Sequence, residues 1–118
     1  MDRRYLLVGI ANNDPYHHIL REALPGDEFL IADEDDAQDR LCNNMIDGTI
    51  IFVSRLTDPI QIVRQMRQAK EKVPIILISP LPSTSEMIEA IRAGATDYIP
   101  KYEQPDTLRR ELFKVSFI

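Results

Sequence analysis

Short apolar runs alternate with amphipathic stretches along the whole chain. The runs fall at Tyr5–Ala11, Phe29–Ala32, Thr49–Val53, Val73–Ile78 and Ala95–Ile99. They are short and rich in Ile, Val, Leu and aromatic residues, which predicts strands rather than helices. Thr49-Ile50-Ile51-Phe52-Val53 and Val73-Pro74-Ile75-Ile76-Leu77-Ile78 are apolar on both faces. That pattern predicts a parallel sheet with helices on both sides. The stretches between carry apolar residues at helical spacing. Asp14-Pro15 supplies a cap and a proline for a helix through Ile19, Leu20, Ala23 and Leu24, which Pro25-Gly26 closes. Glu34 to Met45 places Ala37, Leu41 and Met45 on one face, and Asp58-Pro59 repeats the cap-plus-proline start ahead of Ile60, Ile62, Val63 and Met66. Ser83-Thr84-Ser85-Glu86 has the form of a capping box before Met87, Ile88 and Ile91, with Gly94 as the stop. Pro105-Asp106 starts a last helix through Leu108, Leu112, Phe113 and Val115. Met45, Met66 and Met87 are expected on the core faces of their helices.

Five strands and five helices in strict alternation, joined by right-handed crossovers, predict an α/β fold. It is a flavodoxin-like, doubly wound, five-stranded parallel sheet in the order 2-1-3-4-5. A site in such a sheet lies at the carboxyl ends of the strands, near the switch between strands one and three. The chain of 118 residues is expected to form one domain, 1–118. No linker, repeat or low-complexity segment interrupts it. The apolar end Lys114-Val115-Ser116-Phe117-Ile118 fits either a domain cut from a longer protein or a packed terminus.

Charge and cysteine content narrow the function. A net charge of −5 argues against a nucleic-acid-binding surface, because phosphate neutralisation needs clustered Lys and Arg. The single Cys42 excludes an internal disulfide and any multi-cysteine metal site, and fits a reducing cytosol. Its place in Ala37-Gln38-Asp39-Arg40-Leu41-Cys42 predicts a small core residue. Met1-Asp2-Arg3-Arg4 is charged, and the apolar run after it is too short for a signal peptide or membrane span. A cytoplasmic protein with no membrane contact is expected.

Ser79 and Lys101 fall at the ends of the fourth and fifth strands, where a phosphoryl-handling site would place a hydroxyl and a lysine. Pro74-Ile75-Ile76-Leu77-Ile78-Ser79, then Ala90-Ile91-Arg92-Ala93-Gly94-Ala95-Thr96-Asp97-Tyr98-Ile99-Pro100-Lys101, then Pro105-Asp106-Thr107-Leu108 resemble the second half of a response regulator receiver domain, the CheY-like module of two-component signalling. The resemblance covers the whole chain in topology. It implies that Ser79 and Lys101 stand at the phosphoryl site and that Tyr98 is the switch aromatic.

The first half departs from the family where the chemistry should be. Asn12-Asn13-Asp14-Pro15 falls where the family has Asp-Asp-Glu-Pro. A shifted reading puts Gly9 and Ile10 at the acidic pair instead, but the Asp14-Pro15 helix start favours Asn12 and Asn13. Ser54 follows the third strand where the family carries its phosphoacceptor aspartate. The loop Arg55-Leu56-Thr57 is short, and Tyr102 stands after Lys101 where the family has proline. Mg²⁺ is a hard cation whose protein sites use carboxylates, and a phosphoaspartate mechanism needs a carboxylate nucleophile. Two amides and a hydroxyl supply neither.

The expectation is therefore a degenerate receiver, a pseudo-receiver that is not an enzyme, takes no cofactor and needs no Mg²⁺. It would act on a protein partner or effector domain, with homodimerisation through the fourth helix, fifth strand and fifth helix. Ile88, Arg92, Tyr98, Tyr102 and Arg109 are the expected interface residues. The alternative is a small-ligand sensor using Asn12, Asn13, Ser54, Ser79 and Lys101 at the same crevice. A third reading is a working receiver with an unusual metal site. Other acids have structural readings: Asp14 and Asp58 as helix caps, Asp33-Glu34-Asp35-Asp36 as a solvated helix start, Asp47 at the wrong end of the third strand, and Asp97 inside the fifth. His17 and His18 point about 100° apart on a helix and are expected at the surface.

Overall fold

The computed structural model describes residues 2–70 and 72–118; Met1 and Glu71 lie outside the described residues. Ten elements alternate along it: β1 (Arg4–Val8), α1 (Tyr16–Ala23), β2 (Glu28–Ala32), α2 (Ala37–Asn43), β3 (Gly48–Phe52), α3 (Pro59–Ala69), β4 (Ile75–Ser79), α4 (Thr84–Ala93), β5 (Asp97–Pro100) and α5 (Pro105–Lys114). The strands pair in parallel in the order β2-β1-β3-β4-β5. This is the architecture that the apolar pattern predicts.

Every residue of β3 and β4 is buried, because helices cover both faces. Successive side chains of a strand point to opposite sides, so each central strand feeds two cores. Tyr5, Leu7, Ile50, Phe52, Ile76, Ile78 and Ile99 pack with Tyr16 and Leu20 of α1 and Leu108 and Leu112 of α5. Leu6, Val8, Ile51, Ile75, Leu77 and Tyr98 pack with Leu41 of α2, Val63 and Met66 of α3, and Ala90 of α4. Each fully buried Leu or Ile contributes roughly 1.5–3 kcal/mol. The fold thus rests on these layers and needs nothing from a polar site at the strand ends.

At the lower end of the sheet, one arginine closes several open carbonyls. Arg67 donates from Nε to Gly94 O (2.7 Å) and from Nη1 to Val73 O (2.6 Å). That contact ties the ends of α3 and α4 to the start of β4. Its burial lowers the guanidinium pKa. Gly48 leaves room for Phe117, which stacks on Tyr5 with ring centroids 5.3 Å apart.

Five local expectations are corrected. First, β1 stops at Val8 and does not run to Ala11, because Gly9 turns the chain at φ +85°. Second, α2 covers only Ala37–Asn43, so Met45 falls outside it and is 88% exposed. Cys42 lies on the outer side of that short helix and is exposed, not a core residue. Third, Met87 is 37% exposed on α4, whereas Met66 is fully buried as expected. Fourth, Ser83 caps α4 by accepting from Glu86 N (3.3 Å), but the Glu86 carboxylate turns to Tyr98 and leaves the capping box half made. Fifth, His17 is buried; its Nε2 sits 2.7 Å from Ala11 O and fastens the β1–α1 loop to α1. His18 is at the surface beside Glu22, as expected.

Candidate functional site

The strand ends converge on a crevice of about 340 Å³ lined by Gly9, Ile10, Asp14, Ser54, Arg55 and Lys101, together with the ends of β3 and β4. On its β4–β5 side Lys101 lines the crevice, with Ser79 and Tyr98 behind it. Ser79 ends β4, is buried, and its Oγ accepts from Leu81 N (3.3 Å). Lys101 follows β5, and its backbone N–H donates to Ser79 O (2.8 Å), so the ladder brings the two residues side by side. Tyr98 is turned inward at 7% exposure. Its hydroxyl accepts from Ser83 N (3.1 Å) and donates to Glu86 Oε1 (2.5 Å), which pins the first turn of α4 to β5. Burial pushes the Tyr98 pKa up, and the hydrogen bond to Glu86 adds to the rise.

The β1–β3 side carries no comparable set. Among the lining residues described, Asp14 is the one carboxylate, and its Oδ1 is already engaged as a cap on Tyr16 N (2.9 Å). Its structural reading is thus the one the geometry supports. The chain passes the crevice at Gly9 and Ile10. Asn12 lines a larger cavity of about 560 Å³ that adjoins the crevice through Gly9 and Ile10 and runs beside Asp33, Glu34, Asp35 and Asp36, and Asn13 is exposed. Asn12 and Asn13, expected at the acidic-pair positions, do not line this crevice, whereas Gly9 and Ile10 of the shifted reading do, because the turn at Gly9 carries the next residues out of line with the sheet. Gly9 cannot hold a side chain as it stands: a Cβ there meets Phe52 O at 2.7 Å, and its φ of +85° already disfavours L residues.

Ser54 lines the crevice as expected, but its polar atoms are occupied locally. Ser54 N donates to Thr57 Oγ1 (3.2 Å), and Leu56 N donates to Ser54 Oγ (3.3 Å). The pair closes the short β3–α3 loop as a hydroxyl-clamped turn. Among the described residues, no three His, Cys, Asp or Glu side chains gather in a group able to hold a metal ion. The remaining acids have tasks elsewhere. Glu34 Oε1 accepts from Asp58 N (2.7 Å), Asp58 caps α3 through Gln61 N (3.2 Å), Asp47 accepts from Arg4 N (2.8 Å) at the far end of the sheet, and Asp97 accepts from Tyr98 N (2.7 Å).

Lys101 has taken an aromatic partner. Its Nζ lies 4.9 Å from the centroid of the Tyr16 ring, within cation–π range. Tyr16 is itself held edge-on to Phe52, with centroids 5.8 Å apart, and its hydroxyl donates to Tyr102 O (2.7 Å). Burial pushes the Tyr16 pKa upward, with Glu103 adding to it, so the phenol stays a donor. Neither Tyr16 nor Arg55 stood out in the sequence. The usable signal was an aromatic residue directly after Asp14-Pro15, at the helix turn that faces the fifth strand.

The interface expectations divide. Ile88 is exposed at 42% and Arg92 is exposed, on the outer side of α4. Tyr98 is buried and cannot present its ring to a partner, since its hydroxyl is committed to α4. Tyr102 is half-buried. Arg109 is turned to α1, where Nη1 donates to Ala23 O (3.0 Å), so it leaves the expected α4–β5–α5 surface.

Comparison with known proteins agrees with this geometry. No protein-family model matches the chain. A response regulator, MprA, of Mycobacterium sp. strain KMS is 34% identical over 74 residues, which are 61% of this chain and 32% of that protein. The match spans about a third of the length of these curated relatives. Among solved structures, a response regulator from Thermotoga maritima superposes with TM-score 0.82 at 21% identity, covering 98% of both chains. The chemotaxis protein CheY4 of Vibrio cholerae gives 0.79 at 24%, covering 98% of this chain and 99% of that one. An orphan response regulator of H. pylori gives 0.77 at 18%, covering 96% and 95%. The chain thus shares the fold of these response regulators, and over 74 residues it is similar in sequence to one of them. Ser79, Tyr98 and Lys101 lie together on the β4–β5 side, and the residues of β1 and β3 themselves include no carboxylate.

Proposed function

We propose that this receiver domain serves two-component signalling by protein contact, without taking a phosphoryl group on an aspartate and without Mg²⁺. One observation carries the reading. The residues that face Ser79 and Lys101 across the crevice are Gly9, Ile10, Phe52, Val53 and Ser54, and Asp14, the one acid there, is a helix cap. Aspartyl phosphorylation needs a carboxylate nucleophile with a metal to offset the charge that develops on the phosphoryl oxygens. Lys101 resting on Tyr16 fits a site whose lysine is satisfied without a phosphoryl group. The domain is then a non-enzymatic, cytoplasmic module that regulates an attached or separate effector. With a net charge of −5 it makes no direct nucleic-acid contact itself. Its contact surface is the outer side of α4, where Met87, Ile88 and Ile91 are 37%, 42% and 43% exposed beside Arg92. That surface also serves for self-association.

Intact-mass analysis after incubation with acetyl phosphate and MgCl₂ tests the reading, with an acid-complete receiver as positive control. The expected outcome is an unchanged mass. An adduct of one phosphoryl group that disappears in Asp14→Asn would overturn it. Sedimentation at rising concentration then reads self-association, which Ile88→Glu should weaken.

A second reading has its own support. Lys101 and Arg55 both line the crevice against a single, capped carboxylate, a balance suited to a metal-free anion or small anionic ligand. Thermal stabilisation by phosphate that Lys101→Ala abolishes would favour it.

A further inference from the structure

The sheet has two outer strands, and they are built differently. β5 finishes on Pro100 and is tied to α4 through Tyr98 and Glu86. A proline and a helix fastened alongside are common protections of a strand edge. β2, at the other edge, is Glu28-Phe29-Leu30-Ile31-Ala32, without proline or lysine, and it pairs with β1 alone. Glu28 N donates to Arg3 O (2.8 Å). In a parallel ladder alternate residues turn their backbone groups to the same neighbour. Glu28, Leu30 and Ala32 therefore face β1, and Phe29 and Ile31 turn their N–H and C=O groups outward. Among the described residues, no turn or cap backbone closes on those outward groups.

The surroundings of β2 leave room for a further strand. Phe29, Leu30 and Ile31 are half-buried, with Phe29 and Ile31 packed on one core and Leu30 on the other. An added strand would thus meet part-exposed apolar surface on both of its faces. A cavity of about 380 Å³ lined by Arg21, Leu24, Gly26, Asp27 and Phe29 opens at the start of β2. The cavity of about 560 Å³ takes in Ile31 and Ala32 at its end.

The charges select the occupant. At the start of β2, Glu28 pairs with Arg4 (2.9 Å), and Asp27 shares its cavity with Arg21. At the end, Asp33, Glu34, Asp35 and Asp36 line the cavity, and its lining includes no Lys or Arg among the described residues. A second copy of β2 would set this acidic run against Asp27 and Glu28 if antiparallel, and against its own counterpart if parallel. Like charges opposed across a ladder are destabilising. A basic segment meets no such cost.

We propose that the outer edge of β2 takes an extended segment of a partner protein as a further strand. The segment has an apolar centre that lies along Phe29, Leu30 and Ile31, and Lys or Arg residues that reach residues 33–36. Main-chain hydrogen bonds to Phe29 and Ile31 hold it, and its basic residues give selectivity. This surface lies at the opposite edge of the sheet from β5 and is independent of the α4 contact surface.

The probe is a short peptide of alternating valine and threonine with paired lysines at each end, and the control carries glutamates in place of the lysines. Residue-resolved amide hydrogen exchange of the full chain reads the contact. In the free chain the Phe29 and Ile31 amides should exchange freely while those of Leu30 and Ala32 are protected. Saturating lysine peptide should slow Phe29 and Ile31 at least about tenfold, and the glutamate peptide should bind at least about tenfold more weakly. Asp35 is exposed, and Asp35→Lys should weaken the lysine peptide about threefold without changing the melting temperature. Absence of binding, binding that leaves Phe29 and Ile31 unprotected, or equal binding of the glutamate peptide would each overturn the proposal. So would protection of these two amides in the free chain. If that protection appears only as the chain is concentrated, the edge belongs to a second copy instead.

Discussion

The two sides of the strand-end crevice offer a phosphoryl group very different surroundings. On the β4–β5 side, Ser79, Tyr98 and Lys101 are placed by sheet register and by named hydrogen bonds, and the first turn of α4 is tied to them through Glu86 and Ser83. On the β1–β3 side, the chain presents a glycine, an isoleucine and a serine committed to its own loop. The contrast extends below the side chains. The β4–β5 side keeps a backbone on which its functional residues belong, whereas the β1 side has a backbone that excludes a side chain at Gly9. The two sides rest on different elements: the contacts that position the first turn of α4 belong to β4, β5 and α4, whereas any side chain at Gly9 would have to be built on the β1 turn.

The sharpest way to break this comparison is to try to restore an acid at Gly9. Gly9→Asp should fail as a repair and lower stability by roughly 3 kcal/mol, combining left-handed strain with the Cβ contact to Phe52 O. Urea denaturation reads this, and added MgCl₂ should not recover the loss. Gly26→Ala is the control: its φ is +81° but nothing lies within 4 Å, so about 1 kcal/mol of strain alone is expected. If the two substitutions cost the same, the β1 turn is open to an acid and the contrast fails. A smaller effect tests the intact side. Tyr98→Phe removes the donor to Glu86 and the acceptor for Ser83 N, and should cost about 1–2 kcal/mol. Hydrogen exchange should localise the loosening to the start of α4; uniform loosening would mean that the tyrosine does not position that helix. The smallest effect concerns the group between the two sides. Lys101→Met keeps the apolar stem and removes the charge over Tyr16, so about 0.5–1 kcal/mol should be lost. A gain in stability would mean that the lysine is held there against an unmet need for an anion.

The comparison also separates what the sequence made legible. The parallel sheet, its order and the two-sided core were legible, because runs such as Ile75-Ile76-Leu77-Ile78 have no solvent-facing position to alternate with. The caps at Asp14, Asp58 and Ser83 were legible for the same local reason: each acts within three residues of itself. Ser79, Tyr98 and Lys101 were singled out by the resemblance of the second half of the chain to response regulator receivers, and the ladder of two neighbouring strands brings Ser79 and Lys101 side by side. That Asn12 and Asn13 stay off the crevice lining was not legible, because the turn at Gly9 lies between the strand and the helix start at Asp14-Pro15. Cys42 and Met45 misled because a helical pattern does not say where the helix stops.

By itself, then, the sequence determined the layers, the strand order and the absence of a free acid on the first and third strands, since these follow from periodicity and residue type. Only the tertiary structure decided which residues face Lys101, that its charge rests on Tyr16 and that Arg109 turns to α1. These are contacts between residues remote along the chain. Their geometry is set by how the strands and helices pack, which no local pattern encodes.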